Sequence, residues 1–171
     1  MVGLSDTPGE QQARKAEPMA EIALELDIAA PRAVVLAALT THDGLTSWWT
    51  TDVAREDDVL LFGFPGVPEP FRLRRERTGP ERVVWTNAGA FPPHWAGTWI
   101  SWDLADRPDE QGRPGHRTRL LLRHGGWQPG SEDGVPLVAG TWAQLIVRLK
   151  DYAQSGEPRP LFTAGGHHHA P

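Results

Sequence analysis

A single long amphipathic helix after a run of strands is the feature that most constrains the fold of this chain. Its apolar positions recur at three- and four-residue steps, which places them on one helix face: Val138, Trp142, Leu145, Ile146, Leu149 and Tyr152. Pro136 lies near its start and Gly156 just beyond its end, the usual arrangement at helix ends. Because one apolar helix face needs a partner surface, the sequence predicts an α+β fold in which a sheet packs against this helix.

The segments before this helix predict the sheet. Apolar residues alternate with polar ones over 21–28, the period of a strand with one buried face. Pro31 indicates the first turn of a short helix, and residues 42–49 suggest a second helical turn. Glycine- and proline-containing turns then separate further strands at 59–64, 70–77, 81–87, 97–105 and 116–124. Short turns of this kind favour an antiparallel sheet.

Composition excludes several classes of protein. The chain carries 17 Lys and Arg against 22 Asp and Glu, and this net charge of −5 argues against nucleic-acid binding. It has no cysteine, which excludes a disulfide scaffold, a thiolate metal site and a cysteine nucleophile. No apolar run reaches the roughly 20 residues of a membrane span. The first residues lack the apolar core of a secretory signal, so we expect a cytoplasmic protein without membrane contact.

The distribution of polar and apolar residues predicts one domain with two tails. Residues 1–18 are polar and rich in proline and glycine, and we expect a disordered N-terminal tail. Residues 19–162 are expected to form the domain, and 163–171 a flexible C-terminal tail. That tail holds three histidines, but a flexible segment without further ligands does not enforce metal geometry. The chain also lacks the Walker, GxGxxG and HExxH motifs, so we expect no cofactor and no metal.

Several of these segments resemble a known family. The similarity spans roughly residues 20–162 and is most specific at Trp48-Trp49, at the strand end Arg123–Trp127, and in the closing helix with Trp142, Leu149, Lys150, Tyr152, Gly156 and Pro158. The chain resembles the START-like (SRPBCC) superfamily, in the branch named after activators of the heat-shock chaperone ATPase. The resemblance implies a helix-grip (START-like, Bet v 1-like) fold, a curved antiparallel sheet wrapped around a long C-terminal helix. It also implies a deep apolar cavity between sheet and helix.

The eight tryptophans make this cavity the main functional candidate. Aromatic walls suit a flat or chain-like apolar ligand, although large aromatic side chains also fill ordinary cores. If the apolar residues of each strand face inward, the strands and the helix direct a defined set toward the cavity. The predicted ligand-binding residues are Trp48, Trp49, Phe71, Arg75, Trp85, Asn87, Trp102, Leu122, His124, Trp142, Leu145 and Leu149.

Two histidines are the candidates for chemistry in such a cavity. His124 ends an inward-facing strand and is the candidate acid or base, with Asn87 or Arg75 orienting a carbonyl group. The alternative is a hydrogen-bonded structural histidine beside the Gly125-Gly126 turn. His94, in a proline-rich loop, either lies at the opening of the pocket or is merely exposed.

Three functions follow from this interpretation. The first is binding of a small hydrophobic molecule in the cavity, and the second is a cyclase- or hydrolase-type enzyme that uses the same cavity. The third is a chaperone-interacting module, which would need an exposed patch such as Trp95 and Trp99 beside the arginines of the 70–82 hairpin. The 18-residue tail is too short for the additional chaperone-binding domain of the eukaryotic co-chaperone.

Overall fold

A seven-stranded antiparallel sheet forms the framework of the computed structural model, which describes residues 21–163. The strands are β1 (Ile22–Ile28), β2 (Asp52–Glu56), β3 (Val59–Gly63), β4 (Phe71–Thr78), β5 (Arg82–Asn87), β6 (Trp99–Arg107) and β7 (Arg117–Gly125). Their spatial order is β1-β7-β6-β5-β4-β3-β2, so the first strand pairs with the last and the others form a meander. The predicted tails over 1–18 and 163–171 lie outside the described residues, apart from Thr163.

Three α-helices complete the fold. They are α1 (Arg32–Thr40), α2 (His42–Trp48) and α3 (Val135–Ser155), with short 3-10 helices at Pro93–Trp95 and Glu132–Gly134. Helix α3 contacts α1, α2 and β1. It begins next to Pro136 and ends at Gly156, whose φ of 78° is a left-handed conformation that glycine adopts without strain. The predicted α+β helix-grip fold, a curved antiparallel sheet with a long C-terminal helix, is confirmed. None of the helices within 21–163 is long and apolar enough to cross a membrane.

The inward faces of the central strands are as predicted. Ile100, Trp102 and Leu104 on β6 and Leu120, Leu122 and His124 on β7 are all buried. The register explains this, because Trp102 lies opposite Leu122 and Ile100 lies opposite His124, so these side chains share one face. Strand β4 departs from regular pairing at a bulge between Arg75 and Arg77.

Strand β2 was not predicted from the sequence. It is an edge strand in which only Val53 is buried, so it has no alternating apolar pattern to reveal it. Its pairing with β3 instead depends on the two-residue turn Asp57-Asp58, in which Asp57 has a φ of 56°. Aspartate tolerates this left-handed conformation better than most residues, and the turn closes the hairpin.

Stacked and edge-to-face indoles fill the space between the sheet and the helices. Trp102 makes edge-to-face contacts with Trp48, Trp85 and Trp142, with ring centroids 5.5–5.9 Å apart. The Trp48 Nε1–H also donates to the Ala38 carbonyl at 2.8 Å. That carbonyl lies in the last turn of α1, where helix geometry leaves carbonyls without partners, so Trp48 caps this helix from a distance.

Phenylalanine variants separate what a buried indole contributes by packing from what it contributes by hydrogen bonding. Trp48 and Trp102 are both fully buried, but the Trp102 Nε1–H has no hydrogen-bond partner within the described residues. Trp48→Phe removes ring volume and a hydrogen bond, whereas Trp102→Phe removes ring volume only. We expect Trp48→Phe to lower the free energy of unfolding by about 1 kcal/mol more than Trp102→Phe in urea denaturation. If the two variants lose the same free energy of unfolding, or Trp102→Phe loses more, the hydrogen bond from Trp48 to the Ala38 carbonyl does not stabilise the fold.

Candidate functional site

An apolar cavity of about 230 Å³ lies between the first half of α3 and the segments that surround β4. It is lined by Trp49, Phe64, Pro65, Val67, Phe71, His94, Trp95, Leu137, Val138, Thr141, Trp142, Leu145 and Phe162. Leu137 is 76% exposed, so the cavity reaches the surface beside this residue. No Asp, Glu, Lys or Arg stands among these lining residues. The site is therefore a small apolar pocket without a formal charge, open at one side.

Five parts of the chain build the cavity wall, and one of them is the 3-10 helix Pro93–Trp95, which supplies His94 and Trp95. The β3–β4 connection supplies Phe64 and the first residue of β4 is Phe71, and their rings pack edge to face at 4.9 Å. Helix α3 supplies residues one turn apart, and Trp49 follows the end of α2. The segment after α3 returns to α2, where the Phe162 amide donates to the Trp49 carbonyl at 2.9 Å. This pairing holds the Phe162 ring against Phe64, with 5.0 Å between centroids.

Besides the indole N–H groups of the tryptophans, two polar side chains interrupt the apolar wall. The Thr141 hydroxyl donates to the Leu137 carbonyl at 3.1 Å, one turn earlier in α3. His94 lies in the 3-10 helix Pro93–Trp95 and is partly buried, and this burial lowers the pKa of its imidazole. Because the unperturbed pKa of histidine is about 6.5, His94 is neutral at pH 7 and above. Its ring then offers one donor and one acceptor.

His124 lies behind the wall, in contact with three tryptophans. Its Nδ1 accepts a hydrogen bond from Trp142 Nε1 at 3.0 Å, so the proton of the neutral ring is on Nε2. Trp95 packs edge to face on the ring at 4.6 Å, and Trp127 lies at 4.3 Å. The side chain is fully buried, and burial, with a smaller effect of the nearby His94, lowers the pKa of His124 to about 3.

This environment favours the structural interpretation of His124 over the catalytic one. A general acid or base works best with a pKa near the working pH, and His124 is far below it. Its Nδ1 is occupied by Trp142, and its Nε2 is buried without a partner among residues 21–163. Asn87 and Arg75, the proposed orienting groups, do not line the cavity. The bond to Trp142 instead ties helix α3 to strand β7.

The predicted ligand-binding residues are divided between the cavity wall and the core. Trp49, Phe71, Trp142 and Leu145 line the cavity. Five others are fully buried in the core and do not line it: Trp48, Trp85, Trp102, Leu122 and Leu149. Arg75 and Asn87 lie half-buried on β4 and β5, and the Asn87 amide donates to the Gly89 carbonyl at 3.2 Å. The interior between α3 and the central strands is thus filled, and the cavity lies to one side of it.

Several wall residues have no clear signal in the sequence. Val67 and Phe162 belong to connecting segments, where no periodicity shows which way a side chain faces, whereas Phe64 ends the predicted strand 59–64. Val138 and Thr141 precede Trp142 in α3, and the helical repeat identifies only Val138 as inward. The exposed patch proposed around Trp95 and Trp99 does not form as predicted, because Trp95 is buried against His124.

The buried His124 predicts a specific pH dependence of stability. Between pH 6.5 and about 3 the unfolded chain binds a proton at this residue and the folded chain does not. The contribution of His124 is therefore fully present above pH 6.5 and decreases as the pH falls. We expect the free energy of unfolding to fall by about 2 kcal/mol between pH 8 and pH 5 because of this residue.

A pair of glutamine variants tests this pH dependence by urea denaturation at several pH values. His124→Gln keeps a side-chain acceptor for Trp142 but does not titrate, so it should lack most of this decrease. His116→Gln is the control, because His116 is exposed in the loop before β7. The same slope in wild type and His124→Gln would show that His124 is not the buried neutral group described above.

Comparison with known proteins supports the identification of the fold. No family model and no protein of curated function matches the sequence. Among solved structures, the Aha1 dimer of Colwellia psychrerythraea matches with a TM-score of 0.68 and 28% identity, over 80% of this chain and 98% of that one. DynU16, from the dynemicin biosynthetic locus, matches with a TM-score of 0.62 and 18% identity, over 84% of this chain and 50% of its own.

A Staphylococcus saprophyticus protein shares the fold as well, with a TM-score of 0.61 at 12% identity, over 85% of this chain and 98% of that one. The last two similarities are to the fold alone. The Aha1 structure is similar in sequence also, and it is covered almost completely. Together with the helix-grip architecture, these matches confirm the resemblance seen in the sequence: the chain has a helix-grip fold similar to that of the Aha1 structure.

Proposed function

We propose that this protein binds a small, neutral, apolar molecule in the cavity beside α3. The observation that carries the proposal is a pocket with aromatic and aliphatic walls, no charged lining residue and an opening beside Leu137. Pockets of this character are typical of ligand sites, since apolar walls provide affinity and a few polar groups provide orientation. Removing apolar ligand surface from water contributes about 25 cal/mol per Å², so no special motif is required.

The size of the cavity limits the ligand. An engineered cavity of about 150 Å³ in another protein holds benzene, whereas pockets for drug-sized ligands measure about 300–1,000 Å³. The 230 Å³ available here suits one or two rings or a short chain. A long acyl chain would need the interior that Trp48, Trp85 and Trp102 already fill. The proposal is therefore a small aromatic or short-chain ligand and excludes a membrane lipid.

The two other functions have less support. An enzyme would need an acid and a base at the ligand, and His94 is the only titratable side chain among the lining residues described here. The chaperone-interacting module stays a proposal that depends on the similarity to Aha1 and on exposed apolar residues of α3 such as Leu137. The site geometry adds no feature specific to either function.

Filling the cavity tests the binding proposal directly. Val138 lines the cavity, and the phenyl ring introduced by a Val138→Phe substitution would occupy the space of a ligand. The probe is 4-fluorotoluene, whose 19F resonance broadens and shifts when the compound binds. We expect binding to the wild-type protein and at least a tenfold loss of affinity in Val138→Phe, since filled volume leaves no room for the probe.

Val147→Phe is the matched control for this experiment. Val147 lies on the same helix but is 52% exposed and outside the cavity, so the same substitution should leave probe binding intact. Thermal unfolding of both variants reports whether the fold is retained. The proposal is wrong if the wild-type protein does not bind the probe, or if both variants lose binding equally while remaining folded.

A further inference from the structure

We propose that the preferred ligand is a neutral aromatic alcohol, whose ring lies among the aromatic walls and whose hydroxyl group is bound by Thr141 and His94. This inference rests on the binding function proposed above and narrows its ligand class. It comes from the hydrogen-bonding state of Thr141 and His94, the polar side chains on a wall that is otherwise aromatic and aliphatic. Each of them determines what a ligand group beside it has to supply.

Thr141 needs a donor from the ligand. A threonine hydroxyl has one hydrogen and two acceptor lone pairs. In this structure the hydrogen is used, because the hydroxyl donates to the Leu137 carbonyl within α3 at 3.1 Å. What Thr141 presents to the cavity is therefore acceptor capacity alone. A ligand with only a carbonyl or ether oxygen would place acceptor against acceptor there, whereas a hydroxyl group supplies the missing hydrogen.

His94 supplies the hydrogen-bond donor that Thr141 lacks, so the two side chains together match a hydroxyl group. Its imidazole lines the cavity, and burial alone shifts its pKa, with no hydrogen bond to another residue within 21–163, so its ring nitrogens have no protein partner there. Burial keeps the pKa of His94 below its ordinary value, and the neutral ring has one N–H donor and one acceptor nitrogen. A hydroxyl oxygen can accept from that N–H while its hydrogen is donated to Thr141. A hydroxyl is the smallest neutral group that donates and accepts at once.

The same wall disfavours charged ligands. None of its residues carries a formal charge, so a bound carboxylate or ammonium would lose its hydration without a counter-charge. The aromatic side chains provide the other half of the recognition. Trp49 and Trp142 lie with ring centroids 5.1 Å apart, and Phe71 packs on Trp95 at 4.9 Å, so the walls consist of ring faces and edges that suit a flat ring.

Three para-substituted fluorobenzenes test the ligand class: 4-fluorophenol, 4-fluorotoluene and 4-fluorobenzoate, each titrated by 19F NMR at pH 7.5, where the phenol is neutral. We expect the wild-type protein to bind 4-fluorophenol at least as tightly as 4-fluorotoluene, although the phenol has to give up its hydration. The benzoate should bind at least about tenfold more weakly than the phenol.

Variants then test whether Thr141 and His94 cause the preference for the phenol over the toluene. The quantity compared is the ratio of the phenol and toluene dissociation constants. Thr141→Val and His94→Leu should each raise this ratio by roughly tenfold, because a buried hydroxyl left without its partner is penalised. Thr46→Val is the matched control, since Thr46 makes the same kind of bond to His42, one turn earlier in α2, away from the cavity. Its ratio should equal that of the wild type.

The outcomes separate this inference from the function on which it rests. If 4-fluorotoluene binds but the phenol binds ten times more weakly, the ligand class is wrong and the cavity still binds apolar molecules. The same holds if the benzoate binds best, or if neither Thr141→Val nor His94→Leu changes the ratio. If none of the three compounds binds to the folded wild-type protein, the binding function itself is overturned and the inference with it.

Discussion

The hydrogen bond between Trp142 and His124 fixes the helix to the sheet and thereby positions one wall of the cavity. It is buried, with 3.0 Å between Trp142 Nε1 and His124 Nδ1, and it is the point at which α3 is fixed to β7 by a directional interaction. In surroundings of low polarity such a bond is strong and its loss is costly. Trp142 also packs against Trp102 in the core and forms part of the cavity wall. The position of the wall is therefore set by the same contact that holds the helix in place.

The tryptophans explain why the cavity is small and lies to one side. A sheet wrapped around one helix encloses a large space, and in this chain Trp48, Trp85 and Trp102 fill most of its centre. Close packing of these rings leaves room only where the sheet meets the loops, next to the first half of α3. In place of the deep cavity between sheet and helix that the family resemblance implied, the structure has a cavity of about 230 Å³ at one side, which suits a small ligand.

Much of the fold could be predicted because it follows from periodicity. The helix face of Trp142 and Leu149 and the inward sides of β6 and β7 are set by repeats of 3.6 and 2.0 residues, which burial requires. Strand β2 lacks such a repeat because it lies at the sheet edge and buries only Val53. The cavity wall is harder still to predict. It contains Val67, His94 and Phe162 from connecting segments, and their directions depend on contacts distant in sequence.

Periodicity also does not distinguish a wall residue from a core residue. Trp102 and Trp142 both face inward, and only the packing of the assembled rings decides that one is enclosed while the other borders open space. The same limit applies to His124. Its inward direction follows from strand alternation, but its role depends on Trp142, which is 18 residues away and meets it only in the folded state. The sequence indicates which residues face the interior, and their packing determines which of them are enclosed in the core and which line the cavity.

The charges of the molecule are separated from its apolar interior. Ion pairs link neighbouring strands on the other face of the sheet, Arg119 with Glu25 and Arg82 with Asp103, and Arg123 pairs with Glu21 just before β1. Pairs this exposed contribute little to stability. Strand alternation nevertheless places these residues opposite the face that carries the tryptophans. A protein with a net charge of −5 thereby keeps an uncharged pocket, and selection among ligands there depends on shape and on the hydrogen-bonding groups of Thr141 and His94.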